Sequence, residues 1–428
     1  MFDGIEGYRV RREILFRDLV QGVPSTTYAT HGLYTYPAKF IPHVVRYSVE
    51  KYTELGDWVF DPFAGYGTVA IEASLMGRNA VLWDLNPMTK VFVYASLYRW
   101  GLSVSDFELD WEYDDPFYPV WDNILYWHPR EFYDVLSRAW GFWHKEVYGK
   151  ARNDEEIARS YLVAIPLLKV TRYFSFSDEK IAKLYRSKHA KEKVEKLLSG
   201  DWKELMLSMY RSKVKEVVEK VLEYQKLGPK PVEIVVRCSE KLNGRLWVFD
   251  ALRERLDRDV RLMITSPPYL QAQEYIRSFK LELAWLGFRG DEIGILASRE
   301  IPYNTSPSVE VHSRLYDEYR KLVVKLGHQK LLQLYDAYFK SLVSFLNNNY
   351  DKIEVVAMFV GPVKVRNIRV PIDEILKEHL ETLGFQHVET LIDKIVARRL
   401  FSSRVNPATE LPDERTPTEH LLVMRIRR

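Results

Sequence analysis

With 428 residues, 28% of them charged and 46% hydrophobic, the chain is long enough for one elaborated domain or two ordinary ones around a substantial core. Its net charge of +3 is too small to bind a polyanion through bulk charge, so any nucleic-acid contact has to come from local patches. The lone cysteine, Cys238, excludes an internal disulfide and a cysteine-based zinc site, the ten histidines show no ligand spacing, and no metal is expected. No apolar run approaches the roughly 18 residues of a membrane span, and Met1-Phe2-Asp3-Gly4 does not read as a signal peptide, so a soluble cytoplasmic protein is expected.

In chain order, residues 1–30 read as an arm carrying Arg9, Arg11, Arg12 and Arg17. A helix is predicted from about Pro42 to Tyr52, then an apolar strand over 58–60, a helix over 69–76 and a second strand over 79–83. From Gly101 to about Pro231 the character changes: aromatic residues crowd 107–148, and long helical periodicity rich in Lys and Glu follows. Strands return at 232–236 and 245–249, then at Met263-Ile264-Thr265 and, with a strong buried-strand signal, at 352–360. Residues 389–393 and 421–425 are expected to form a closing antiparallel pair. Strands alternating with helices predict an α/β fold with a mostly parallel, doubly wound sheet, interrupted by the 101–231 block between its second and third strands. There is no internal repeat and no low-complexity segment.

Two turns in this pattern carry chemistry. Trp58-Val59-Phe60 runs into Asp61-Pro62-Phe63-Ala64-Gly65-Tyr66-Gly67-Thr68, where two glycines spaced by one residue open a helix and let the backbone approach a ligand closely. The next strand ends at Asp84, 19 residues beyond Gly65, where an acidic residue is the expected partner of ribose hydroxyls. The loop lacks the third glycine of the dinucleotide fingerprint and is not followed by Lys-Ser/Thr, which disfavours both NAD and ATP. Further on, Thr265-Ser266-Pro267-Pro268-Tyr269 ends a buried strand with two residues that cannot donate ladder hydrogen bonds, and presents an aromatic ring just past the strand's end. Ser266 Oγ and nearby carbonyls can accept hydrogen bonds from an amino group while Tyr269 stacks on a flat ring. That equipment suits an exocyclic amine on an aromatic heterocycle.

Together these residues resemble the DNA amino-methyltransferases of the N4-cytosine/N6-adenine family. Five segments match in consistent order: Tyr34-Thr35-Tyr36-Pro37-Ala38-Lys39-Phe40-Ile41-Pro42, the loop 61–68, Asp84-Leu85-Asn86-Pro87, the turn 265–269 and the stretch 274–287. The likeness covers roughly residues 28–100 and 231–428. It implies a Rossmann-like methyltransferase sheet with a helical insertion, divided as 1–100 (arm and cofactor half), 101–231 (insertion, candidate target-recognition region) and 232–428 (catalytic half). It also implies S-adenosylmethionine as cofactor, surrounded by Tyr36, Lys39, Asp61, Pro62, Phe63, Gly65, Gly67, Thr68, Asp84, Asn86 and Asp250, with Ser266, Pro267, Pro268 and Tyr269 as the catalytic loop. Plainer roles stay open: Asp61 or Asp84 capping a helix, Tyr36 and Lys39 serving a helix entry, and Ser239-Glu240 competing with Asp250 for the cofactor's adenine amine.

A ring amine is a poor nucleophile because its lone pair is delocalised. Hydrogen bonds accepted by Ser266 Oγ and the Pro267 carbonyl would localise that pair, and in-line placement supplies much of the remaining catalysis. No stacked base reaches such a pocket, so the target nucleotide must be flipped out of the duplex. In the family, Ser before Pro-Pro leans toward cytosine N4. Adenine N6, an RNA amine, and a catalytically inactive DNA-binding protein are the alternatives. Duplex DNA is the expected partner, with a cognate restriction endonuclease sharing the site without being bound. Residues 180–196 hold seven Lys/Arg against two Glu, either a solvated helix face or a contact to the DNA backbone. The expected DNA contacts are Arg172, Lys183, Arg186, Lys188, Arg277 and Lys280; the last two can instead pair with Glu274 and Glu282.

Overall fold

The most continuous apolar runs of the chain lie at the middle of its sheet, where both faces are covered. The computed structural model describes residues 10–179, 183–270, 274–394 and 418–427. Its strands are β1 (Val10–Ile14), β2 (Trp58–Asp61), β3 (Asn79–Asp84), β4 (Ile234–Cys238), β5 (Glu240–Leu242), β6 (Arg245–Trp247), β7 (Val260–Thr265), β8 (Ile353–Val360), β9 (Val363–Val365), β10 (Ile368–Val370), β11 (Phe385–Lys394) and β12 (Thr418–Ile426). Among the described residues, eight of them form one sheet in the order β1-β11-β12-β8-β7-β2-β3-β4. Every pairing in it is parallel except those of β12, which runs antiparallel to both β11 and β8. The fold is therefore a mostly parallel, doubly wound α/β sheet.

Period-2 alternation divides the core between the two faces. Val59, Leu262, Ile264, Val355 and Ala357 join the helices Pro42–Tyr52, Thr68–Met76 and Met88–Ser96 on one side. Phe60, Met263, Val356 and Met358 face the helices Gln329–Asn349 and Ile372–Thr382 on the other. From β2 the chain moves outward to β3 and β4, then returns to the opposite side of β2 as β7. β2 and β7 thus flank a topological switch point, where open α/β sheets hold their ligands beyond the carboxyl ends of the strands.

Between β3 and β4 stand the helices Arg130–Phe142, Asp154–Tyr173, Lys188–Leu198 and Trp202–Lys226. Asn153 caps the second by accepting from the Glu156 amide at 2.9 Å. The aromatic residues of this region form a seam with the helix Lys280–Trp285: Trp140 stacks on Trp285 at 5.9 Å, and Trp285 Nε1 donates to His128 Nε2 at 3.1 Å.

Two sequence expectations are corrected here. The strand expected at 245–249 does not enter the sheet; β5 and β6 make a separate hairpin. Its turn is Asn243-Gly244, both at positive φ, the pair favoured by a two-residue hairpin loop. The arm also proves to be partly edge strand. β1 lies along β11, and Arg11 is paired with Glu374 and, at 3.6 Å, with Asp373. Arg9 lies outside the described residues.

Candidate active site

At the carboxyl end of β2 the backbone takes a shape that only glycine holds comfortably. Gly65 and Gly67 have φ of 52° and 87°; a Cβ on Gly67 would stand 2.3 Å from Val93 Cγ2, and one on Gly65 would stand 3.0 Å from the Tyr36 hydroxyl. The loop is tied down from three sides. Asp84 Oδ2 accepts from the Gly65 amide at 2.6 Å, Thr89 donates to the Gly65 carbonyl at 2.7 Å, and Thr68 donates to the Phe40 carbonyl at 3.1 Å. Asp84 also accepts from the Asn86 amide at 2.7 Å, while the buried Nδ2 of Asn86 has no partner.

Asp61, buried at the end of β2, accepts from the Phe63 amide at 3.2 Å and from the Thr265 hydroxyl at 2.7 Å. This last bond joins the glycine loop to the residue that precedes Ser266. Burial pushes the Asp61 carboxyl up to about 7 and that of Asp84 up to about 6.

These segments enclose a cleft of about 880 Å³. Of the residues singled out from the sequence, Tyr36, Pro62, Phe63, Gly65, Asp84, Asn86, Asp250, Ser266 and Pro268 line it. Asp61, Gly67, Thr68 and Pro267 stand behind or beside it. Asp250 reaches the cleft, whereas Ser239 accepts from the Phe249 amide at 3.0 Å and Glu240 pairs with Lys90 at 2.6 Å. Lys39 turns away: its ammonium lies over the Tyr66 ring at 4.7 Å and donates to the His31 carbonyl, and burial lowers it to about 8. Tyr269 is outside the cleft lining, and its hydroxyl donates to Glu419 at 2.7 Å.

Sequence reasoning missed the opposite wall. Tyr275 stacks near Tyr36 at 5.8 Å, and Glu300, 8% exposed, accepts from the Ile276 amide at 2.9 Å while burial pushes its carboxyl up to about 8. No local motif marks Glu300 in the sequence.

The expected DNA contacts are dispersed. Arg172 is mostly buried and its guanidinium holds Glu282 at 2.7 Å and the Ser278 carbonyl at 2.9 Å. Lys183 lies 3.5 Å from Glu274, which also pairs with Arg277 at 2.8 Å. Arg186 is stacked between Phe176 and Tyr126 at 3.8 and 4.5 Å. Lys188 is in solvent, 3.7 Å from Glu192, and Lys280 opens the helix Lys280–Trp285. Lys180 lies outside the described residues. A concave surface gathers a different set: Arg17, Lys39, Lys169, Arg172 and Lys213 against Glu179 and Glu216 line a groove of about 1950 Å³. It shares Tyr36 and Ala38 with the cleft.

Known proteins resemble this chain in part. A family profile described as DNA methylase, for the N6/N4 type, matches residues 17–91, the span that builds the glycine loop and reaches Asp84. Over that span the chain is similar to the N6/N4 DNA methylases, and the curated proteins it matches are Type II methyltransferases. The Type II methyltransferase M.MjaII of Methanocaldococcus jannaschii is 29% identical over 96 residues, 22% of this chain and 18% of that protein. M.BsoBI of Geobacillus stearothermophilus is 24% identical over 359 residues, 80% of this chain and 65% of its own. M.MvaI of Kocuria varians is 22% identical over 450 aligned positions, 94% and 91% of the two chains. The chain thus matches less than two thirds of the length of the first two. Among solved structures, the rRNA methyltransferase aviRa of Streptomyces viridochromogenes aligns over 96% of this chain and 93% of its own at 10% identity, with a TM-score of 0.27. No helix among the described residues is long and apolar enough to cross a membrane.

Proposed function

We propose that this methyltransferase-family chain transfers a methyl group from S-adenosylmethionine to the exocyclic amine of a flipped DNA base, with cytosine N4 as the favoured target. The observation that carries the reading is the convergence of the glycine loop, Asp84, Ser266 and Pro268 on one cleft at the switch point between β2 and β7.

The cleft fits the cofactor in kind. Asp84 offers a carboxylate for ribose hydroxyls, the Asn86 amide nitrogen is a buried donor without a partner, and Phe63, Phe249, Leu252 and Ile301 supply apolar walls for a flat ring. Gly65 and Gly67 keep the floor open for the methionine portion, and Asp61 stiffens the loop from behind. Bound there, the cofactor supplies an electrophilic methyl on a sulfonium. Ser266 Oγ and the Pro267 carbonyl accept from the target amine and localise its lone pair, and the two prolines hold that geometry rigid. A dry, preorganised wall costs no reorganisation as charge shifts.

Duplex DNA is the substrate in this reading, and the basic groove beside Tyr36 is its approach. Ser266 favours cytosine N4 over adenine N6, the second reading. The setting proposed is cytoplasmic, with a cognate endonuclease of the same specificity acting independently. Incubation with labelled S-adenosylmethionine and unmodified DNA, followed by mass spectrometry of the digested nucleosides, tests it. N4-methylcytosine is expected, N6-methyladenine would move the target to adenine, and unmodified nucleosides would overturn the activity.

A further inference from the structure

The tyrosine of the catalytic loop is held by a residue that belongs to none of the five matched segments. Because β12 runs antiparallel to its neighbours, its amino-terminal end lies at the edge of the sheet where the parallel strands finish. The register shows this directly: His420 pairs with Val360, the last residue of β8, and Met358 pairs with Thr265, the last residue of β7. Glu419 therefore emerges just past the strand ends, beside the turn that carries Tyr269, and its Oε1 accepts from the Tyr269 hydroxyl at 2.7 Å.

The backbone that carries this carboxylate is itself fixed. Glu419 is only 9% exposed and pairs in register with Asp393 of β11. The next residue is anchored as well, with His420 Nδ1 2.7 Å from Asp373 Oδ2. The Tyr269 ring meanwhile packs against the core face built from β7 and β8.

We propose that Glu419 is a positioning residue: by gripping the Tyr269 hydroxyl it fixes the plane of the ring on which the flipped base stacks. The proposal rests on the function proposed above. An untethered tyrosine must be ordered anew each time a base arrives, and the loss of its rotamer freedom is then charged to binding. A phenol held by a buried carboxylate is ordered in advance, through a bond stronger than one between neutral groups.

The test is a double-mutant cycle on a duplex containing the modified site, with Tyr269→Phe and Glu419→Ala removing the same bond from either end. Each is expected to lower kcat/KM for DNA by roughly tenfold, the size of one hydrogen bond, with the double variant no worse than either single one. Cofactor affinity should stay at the parental value. Glu419→Gln keeps an acceptor and should recover most of the loss, which a general packing defect would not allow. Additive losses, or parental kcat/KM in Tyr269→Phe, would overturn the positioning role while leaving the methyltransferase reading intact. Should Glu419→Ala fail to fold, Tyr269→Phe and Glu419→Gln decide the matter, with full activity in the first overturning it. Absence of methyl transfer by the parent chain to any DNA would overturn the functional reading, and this proposal with it.

Discussion

The glycine loop and the lysine-rich stretch after residue 180 are built on opposite physical terms. The loop holds backbone conformations that cost any other residue strain, and it keeps two carboxyls where water does not stabilise their charge. The helix Lys188–Leu198, by contrast, buries Ala190, Val194 and Leu197, and the Lys188 side chain is 91% exposed. Lys193 is occupied with the Tyr173 carbonyl at 2.7 Å and Glu179 at 3.2 Å. Charge that is dense along a sequence is thus not charge gathered in a concave place. The groove beside Tyr36 collects five cations and two anions from four separate parts of the chain.

Breaking the turn after β7 should cost most. Ser266→Ala or Tyr269→Ala is expected to lower methyl transfer by on the order of 10²-fold, the scale of one lost group at a preorganised site. Cofactor affinity measured by calorimetry should be unchanged. Parental turnover in both variants would remove the turn from catalysis. Asp84→Ala should weaken S-adenosylmethionine binding by about 1–3 kcal/mol, the range for a lost hydrogen bond to a charged group, and equal affinity in a folded variant would place the cofactor elsewhere.

The two basic surfaces can be set against each other by salt dependence. Lys169→Gln with Lys213→Gln alters the groove, and Lys188→Gln with Lys191→Gln alters the exposed helix. If the groove meets phosphates, the slope of log affinity for duplex DNA against log salt shrinks by about 0.9 per contact removed in the first pair. The second pair should leave it unchanged. The reverse pattern would return recognition to the helix.

The smallest expected effect is on stability. The Asp61 carboxyl lies at about 7 in the folded chain against an ordinary value of 3.8, so the folded state holds this proton more tightly. The stabilisation it brings is complete below pH 3.8 and is lost as pH rises through about 7. Thermal melts of Asp61→Asn should therefore show a shallower fall than the parent across that window, and superimposable slopes would mean that Asp61 is already ionised.

Much of this architecture was legible because its signals are local. The helix Pro42–Tyr52, the strands on either side of the glycine loop and the reversed pair at the end each show their own periodicity or punctuation. The hairpin β5–β6 was equally legible in Asn243-Gly244, and was missed because the apolar run after it invited a sheet strand. The site was legible only in pieces. Asp61 and Thr265 are 204 residues apart and share a hydrogen bond, and Tyr269 and Glu419 are 150 apart and share another. Neither Glu300 nor Glu419 carries any mark beside its neighbours, because each finds its partner elsewhere in the chain, Glu300 at Ile276 and Glu419 at Tyr269. The same holds for Arg172, whose partner Glu282 is 110 residues away.

The central claim is that the cleft at the switch point holds the cofactor. A crystal structure of the chain soaked with S-adenosylhomocysteine tests it most directly. The account predicts density for the nucleoside between Asp84, Asn86 and Asp250, with the amino-acid end over Gly65 and the sulfur facing Ser266. Density in the basic groove instead, or an empty cleft at saturating ligand, would contradict it.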